Sequence, residues 1–141
     1  MAHRLAIALL AALAAASCGR GPVDPSENVV ETRTGTVQPL NSDTPRPPFT
    51  ISNLGEFNVT VTALTPGNVI LGIGWGQWSG SGCGLIAGQT NFVTSSNIGR
   101  MVLSGQIFLR GDYCVVLFDG SSLGAPPLTV AQNYTVSVSH P

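Results

Sequence analysis

Along Phe57-Asn58-Val59-Thr60-Val61-Thr62-Ala63-Leu64, apolar and polar side chains alternate one by one. Phe57, Val59, Val61 and Ala63 fall on one face, and Asn58, Thr60 and Thr62 on the other. A period of two, rich in β-branched residues, predicts a half-buried strand. Tyr134-Thr135-Val136-Ser137-Val138-Ser139 repeats the pattern near the C-terminus. Cys114-Val115-Val116-Leu117-Phe118 is continuously apolar, which predicts a central strand covered on both faces. Further strands are predicted over 34–37, 49–52, 69–75, 91–94 and 101–108. Turn signals separate them: Asn53-Leu54-Gly55, Thr65-Pro66-Gly67-Asn68, Arg110-Gly111-Asp112 and Asp119-Gly120-Ser121-Ser122. Past the first residues, no window carries a sustained 3.6-residue apolar stripe. The predicted fold class is therefore all-β: a single antiparallel β-sandwich or jelly-roll-like domain of about seven to nine strands over 33–141.

Within Val69 to Trp78, Val69, Leu71, Ile73 and Trp75 share one face, and Ile70, Gly72, Gly74 and Gly76 share the other. Glycines inside a strand mark a close approach, so this strip is expected to accept a ligand or a neighbouring chain segment, or to be a bulged strand under a loop. Gly72-Ile73-Gly74-Trp75-Gly76 is not followed by a helical pattern. It cannot aim a helix N-terminus at a pyrophosphate, and a nucleotide site is excluded.

The first residues carry a different pattern. Met1-Ala2-His3-Arg4 precedes an Ala/Leu/Ile run from Leu5 to Ala16 and then Ser17-Cys18-Gly19. A basic start, a short apolar run and small residues at a boundary predict a secretory signal peptide over 1–17. The run is shorter than the roughly 20 apolar residues a membrane span needs. Ala15-Ala16-Ser17-Cys18 resembles the lipobox of bacterial lipoproteins, with Ala15 standing where that family usually has Leu. The resemblance implies lipidation of Cys18 and anchoring in the bacterial cell envelope. Gly19, rather than Asp, after the Cys points to the outer membrane or cell surface instead of the inner membrane. Residues 18–32, with Gly21-Pro22 and Asp24-Pro25, read as a flexible tether lifting the domain off the membrane.

Cysteine usage agrees with export. Of the three cysteines, assigning Cys18 to lipid leaves Cys83 and Cys114 to pair. A Cys/His metal site fails on inventory, because beyond the leader the chain holds only His140, near its end, and no CxxC. Charged residues make up 9 % of the chain and lysine is absent. The arginines are scattered, so no phosphate-neutralising patch forms and nucleic acid is excluded as a partner.

The series Phe49-Thr50-Ile51, Gly55 to Pro66, Leu71-Gly72-Ile73-Gly74-Trp75, Gly111-Asp112-Tyr113-Cys114-Val115 with Phe118-Asp119, and Tyr134 to Val138 resembles the bacterial pre-peptidase C-terminal type of β-sandwich. The resemblance covers roughly Arg33 to Pro141. It implies a small exported module with a non-catalytic role, aiding secretion or binding polymer or protein.

Candidate chemistry is sparse. A Ser nucleophile needs a His base, and His140 lies at what reads as a frayed end. Glu56, Asp112 and Asp119 are the candidates for a hydrolytic carboxylate pair, and the two aspartates fall in turn signals. Turns containing Asp112 and Asp119, with Asn133, are weak calcium candidates without any spaced DxDxDG array. Trp78 and Gln77 open the stretch Gln77-Trp78-Ser79-Gly80-Ser81-Gly82, which reads as a flexible loop. There an indole would either stack on a sugar or a partner side chain, or plug the core beside Cys83. No cofactor is expected. Two functions fit: a membrane-anchored, non-catalytic binding module for glycan or protein, or a structural component of the envelope docking through a strand edge.

Overall fold

A computed structural model describes residues 21–141; the expected signal peptide over 1–17 and Cys18 lie outside the described residues. The chain is all-β, a sandwich of two antiparallel sheets. Its strands are β1 (Val29–Val37), β2 (Ser42–Asp43), β3 (Phe49–Ile51), β4 (Gly55–Thr65), β5 (Leu71–Trp78), β6 (Cys83–Val93), β7 (Met101–Ile107), β8 (Gly111–Asp119) and β9 (Gln132–His140). One sheet runs β1-β9-β4-β7; the other runs β2-β8-β5-β6, with β3 also paired to β8. Only β2–β3 and the β5–β6 hairpin stay within one sheet, and every other connection passes between the two.

The alternating residues of β4 and β9 place Phe57, Val59, Val61, Val136 and Val138 inside, against Leu71, Ile73, Trp75, Val115 and Leu117 of the other sheet. As its continuous apolar run requires, β8 is central: β5 lies on one side and β2 and β3 on the other. One expectation changes in β4. Its pairing with β9 shifts between Val61 and Ala63, so Ala63 is exposed and Leu64 turns toward the core. A bulge inserts one residue and inverts the alternation beyond it.

The segment expected as a tether is ordered from Gly21 onward. The Val23 N–H donates to Leu54 O at 2.8 Å, and Val23 bridges Gly55. Asp24 caps a 3-10 turn over Pro25–Glu27, and β1 starts at Val29, ahead of the strand predicted over 34–37. The C-terminal segment is equally fixed, at the same end of the domain, where His140 pairs with Val29. His140 is buried, with Nε2 2.9 Å from Glu31 Oε1, and Arg33 pairs with the same carboxylate. Burial alone would raise the Glu31 pKa, but the hydrogen bonds from His140 and Arg33 outweigh it and hold the group below its ordinary value. His140 is a structural residue on a paired strand, not part of a frayed end.

The Cys83–Cys114 disulfide is formed, with Cα atoms 5.8 Å apart. It lies on the outer face of the β8–β5 pair, because Cys114 sits directly opposite Gly76. The glycine strip of β5 is covered by the protein's own groups. Phe118 lies over Gly72, Leu85 over Gly74, and the Gly84 backbone with Cys83 Sγ over Gly76.

Candidate functional site

The elements β5, β6, β7 and the β7–β8 turn bound an open cleft at one end of the sandwich. It has a volume of about 410 Å³. Its inner wall is aromatic. The Trp75 ring is sandwiched between Phe57, with centroids 4.3 Å apart, and Tyr113, at 5.3 Å, both within 14° of parallel. Every second residue of β5 faces inward, so Gln77 follows Trp75 to the mouth of this wall. Gln89 comes from β6 and Gln106 from β7. The lip carries Phe108 and Leu109, 77 % and 65 % exposed.

Gly105 makes the approach of the two edge strands possible. A Cβ there would fall 2.8 Å from the Phe57 ring and 3.3 Å from Gln89 Nε2. With no side chain at Gly105, the Gln89 amide lies across β7 beside the aromatic wall. Tyr113 Oη donates to Leu109 O at 2.7 Å, which fixes the lip to the wall. Gln106 Nε2 donates to Glu56 Oε1 at 3.0 Å. Among the described residues, the side-chain amides of Gln77 and Gln89 make no such bond and face the cleft. Each offers two donors and an acceptor to a ligand. No charged side chain lines the cleft. An apolar wall with a few convergent polar groups, in this size range, is the usual make-up of a small-ligand site.

Gln77 is brought into this site and Trp78 is not. Both belong to β5 rather than to a loop, and adjacent strand residues point to opposite faces. Trp78 stands beside Cys83 on the outer side, partly exposed, with the Arg46 guanidinium 4.7 Å over its ring. The turn after it is tight, closed by Ser79 N–H donating to Gly82 O at 3.0 Å. Gln89, Gln106 and Phe108 are the members that the sequence pattern does not reveal. Amides on strands are ordinary, and only the off-pattern pair Phe108-Leu109 before the Arg110-Gly111-Asp112 turn gives a signal.

The calcium candidates do not converge. Asp112 and Asp119 lie at opposite ends of β8, roughly 23 Å apart at about 3.3 Å per residue. The Asp112 carboxylate accepts from Thr50 Oγ1 at 2.8 Å. Asp119 is buried and accepts three backbone N–H groups, from Leu40 at 2.8 Å, Ser121 at 2.9 Å and Leu128 at 3.0 Å. Desolvation pushes its pKa up, yet these bonds win and bring it down to about 2. Asp119 is the organiser of three loops, with its donors already chosen. Among the described residues, no group of three or more His, Cys, Asp or Glu side chains could share a metal ion.

Those loops border a second hollow, of about 630 Å³, on the outer face of β8 and β5. Leu40, Leu85, Val116, Phe118 and Leu123 line it, with Cys83 of the disulfide at one end. It is larger than the cleft, but its floor is the set of side chains that fills the β5 glycine strip. Compared with known proteins, the chain matches no family model and no curated sequence.

Proposed function

We propose that this protein is an exported, lipid-anchored envelope protein whose β-sandwich is a non-catalytic module for binding neutral glycan. The lipobox-like Ala15-Ala16-Ser17-Cys18 supports the anchor, and the formed Cys83–Cys114 bridge fits an oxidising compartment. The β-sandwich fold is also the one that the resemblance to pre-peptidase C-terminal modules implies. The observation that carries the glycan reading is that Gln77 and Gln89 both line the cleft beside its aromatic wall, with no charged side chain among the lining residues. Sugar hydroxyls take both donors and acceptors from amides, and the C–H faces of a pyranose suit an aromatic wall. A carboxylate pair placed for hydrolysis has no support here, since Asp112 and Asp119 stand at opposite strand ends.

Calorimetric titration of the folded protein with a panel of neutral oligosaccharides tests this. A saturable response that Gln89→Ala or Gln77→Ala weakens is the expected result. No response to any member of the panel, with the fold intact, overturns the reading.

Docking through a strand edge is the second reading, and β6 favours it. This edge strand exposes Leu85, Ile86 and Phe92, at 45, 38 and 37 %. Unpaired strand edges with apolar side chains are templates for pairing. Sedimentation that stays monomeric at high concentration, together with glycan binding, decides for the first reading.

A further inference from the structure

The cleft and the point where the chain enters the domain, at Val23, lie at one end of the molecule. Val23 bridges Gly55, and Gly55 pairs in turn with Ile107, the residue before the exposed Phe108-Leu109 lip. Neighbouring strands lie about 4.8 Å apart, so Val23 and Ile107 are separated by roughly 10 Å. Cys18 precedes Val23 by only five residues, which span at most about 17 Å when fully extended. With Val23 fixed to β4, the segment between the lipidated residue and the domain is far shorter than the fifteen residues 18–32 would allow. A lipid on Cys18 therefore holds this end of the sandwich at the membrane surface.

The end is built for such a place. Phe108 and Leu109, 77 % and 65 % exposed, project at the tip of the β7–β8 turn, and Val29 at the start of β1 is 56 % exposed. Arg110, also exposed, follows the apolar pair directly, where its guanidinium can reach lipid phosphates while the pair enters the interface. From this arrangement we infer that the Phe108-Leu109 tip seats in the bilayer interface and that the cleft takes the headgroup of a membrane glycolipid. This rests on the lipid-anchor and glycan readings given above. Gln77, Gln89 and Gln106 then bind the headgroup hydroxyls, while Phe108 and Leu109 lie among the upper acyl segments of the same lipid layer.

The test uses the full-length chain made as Cys18→Ser, so that its own anchor does not mask binding. Three probes are compared: phosphatidylcholine vesicles, the same vesicles containing a monoglycosyl diacylglycerol, and the free water-soluble headgroup glycoside. The expected result is glycolipid-vesicle binding at least about tenfold tighter than to either other probe, with Phe108→Ala/Leu109→Ala removing the advantage over the free glycoside. Gln89→Ala should weaken binding of both sugar-bearing probes. Equal affinity for free and vesicle-borne sugar overturns the bilayer inference and leaves the glycan reading standing. Equal binding to plain and glycolipid vesicles overturns the headgroup assignment. Binding to no sugar-bearing probe overturns the glycan reading itself, and this inference with it. The double variant's melting temperature, unchanged for so exposed a turn, shows that the fold is retained.

Discussion

The backbone carbonyl of Gly84 occupies the place that a Cβ on Gly76 would take, with Cys83 Sγ 3.1 Å from the same point. The β5–β6 hairpin thus curls over its own central strand, and the disulfide closes the fold by joining β6 to β8. A side chain at Gly76 must displace backbone. At Gly72, by contrast, the nearest group is the far end of the Phe118 ring, which can swing toward solvent. Gly76→Ala should therefore destabilise the protein by about 2–3 kcal/mol and Gly72→Ala by about 1 kcal/mol. Urea midpoints of the two variants check the order. Equal losses would mean that β6 does not press on β5 as described.

The bridge closes a separation of 31 residues. On chain-entropy grounds, its removal in Cys83→Ser/Cys114→Ser should lower stability by about 3.5 kcal/mol. Because β6 carries Gln89 and Ile86, the loss should also loosen the cleft. Hydrogen exchange is expected to accelerate first in residues 83–90. Uniform acceleration across both sheets would argue against β6 as the element the bridge holds.

That dependence explains which parts of the fold are legible in the sequence. The strands β4, β8 and β9 declare themselves by alternation or by a continuous apolar run, because their neighbours bury one face or both. The first part of β6 does not. Gly84, Ala87 and Gly88 have little strand preference, and residues 83–90 form a strand because Cys83 is bridged and β5 offers its edge. The start of β1 is hidden for a related reason: Pro22 and Pro25 read as linker, while Val29 to Thr32 gain their order from β9. In the site, Gln77 is found from sequence but is grouped with the wrong neighbour. Once β5 extends through Trp78, the two side chains must face opposite ways. Gln89 and Gln106 reach one cleft only through the approach of β6 and β7, edge strands of different sheets, which no local pattern encodes.

Asp119 gives the fold a specific acid sensitivity. Its folded pKa of about 2 lies below the ordinary value of 3.8, so its charge stabilises the native state above the unfolded value. As pH falls through about 4 toward 2, the unfolded chain binds the proton first and this contribution disappears. Asp119→Asn removes the charge that the N–H groups of Leu40, Ser121 and Leu128 address. It should lower stability at neutral pH by about 2–3 kcal/mol, in keeping with hydrogen bonds to a charged group. The variant should also flatten the pH dependence of the denaturation midpoint between about 4 and 2. An unchanged slope there would place the acid sensitivity elsewhere, with Glu31 the next group to change.

Trp78 and Gln89 separate the two faces of β5 functionally. The Trp78 ring, under Arg46 and beside Cys83, stands on the side away from the cleft. Trp78→Ala should leave glycan affinity within about twofold, a difference of under about 0.5 kcal/mol. Gln89→Ala removes an amide that faces the ligand and should weaken binding by about five- to tenfold, the usual worth of one or two neutral hydrogen bonds. Intrinsic fluorescence gives an independent reading. Trp75 touches the cleft wall and Trp78 does not, so a ligand-induced emission change should survive Trp78→Ala. Its loss in that variant, with affinity falling in parallel, would move the site to the outer face of β5 and the hollow above the disulfide.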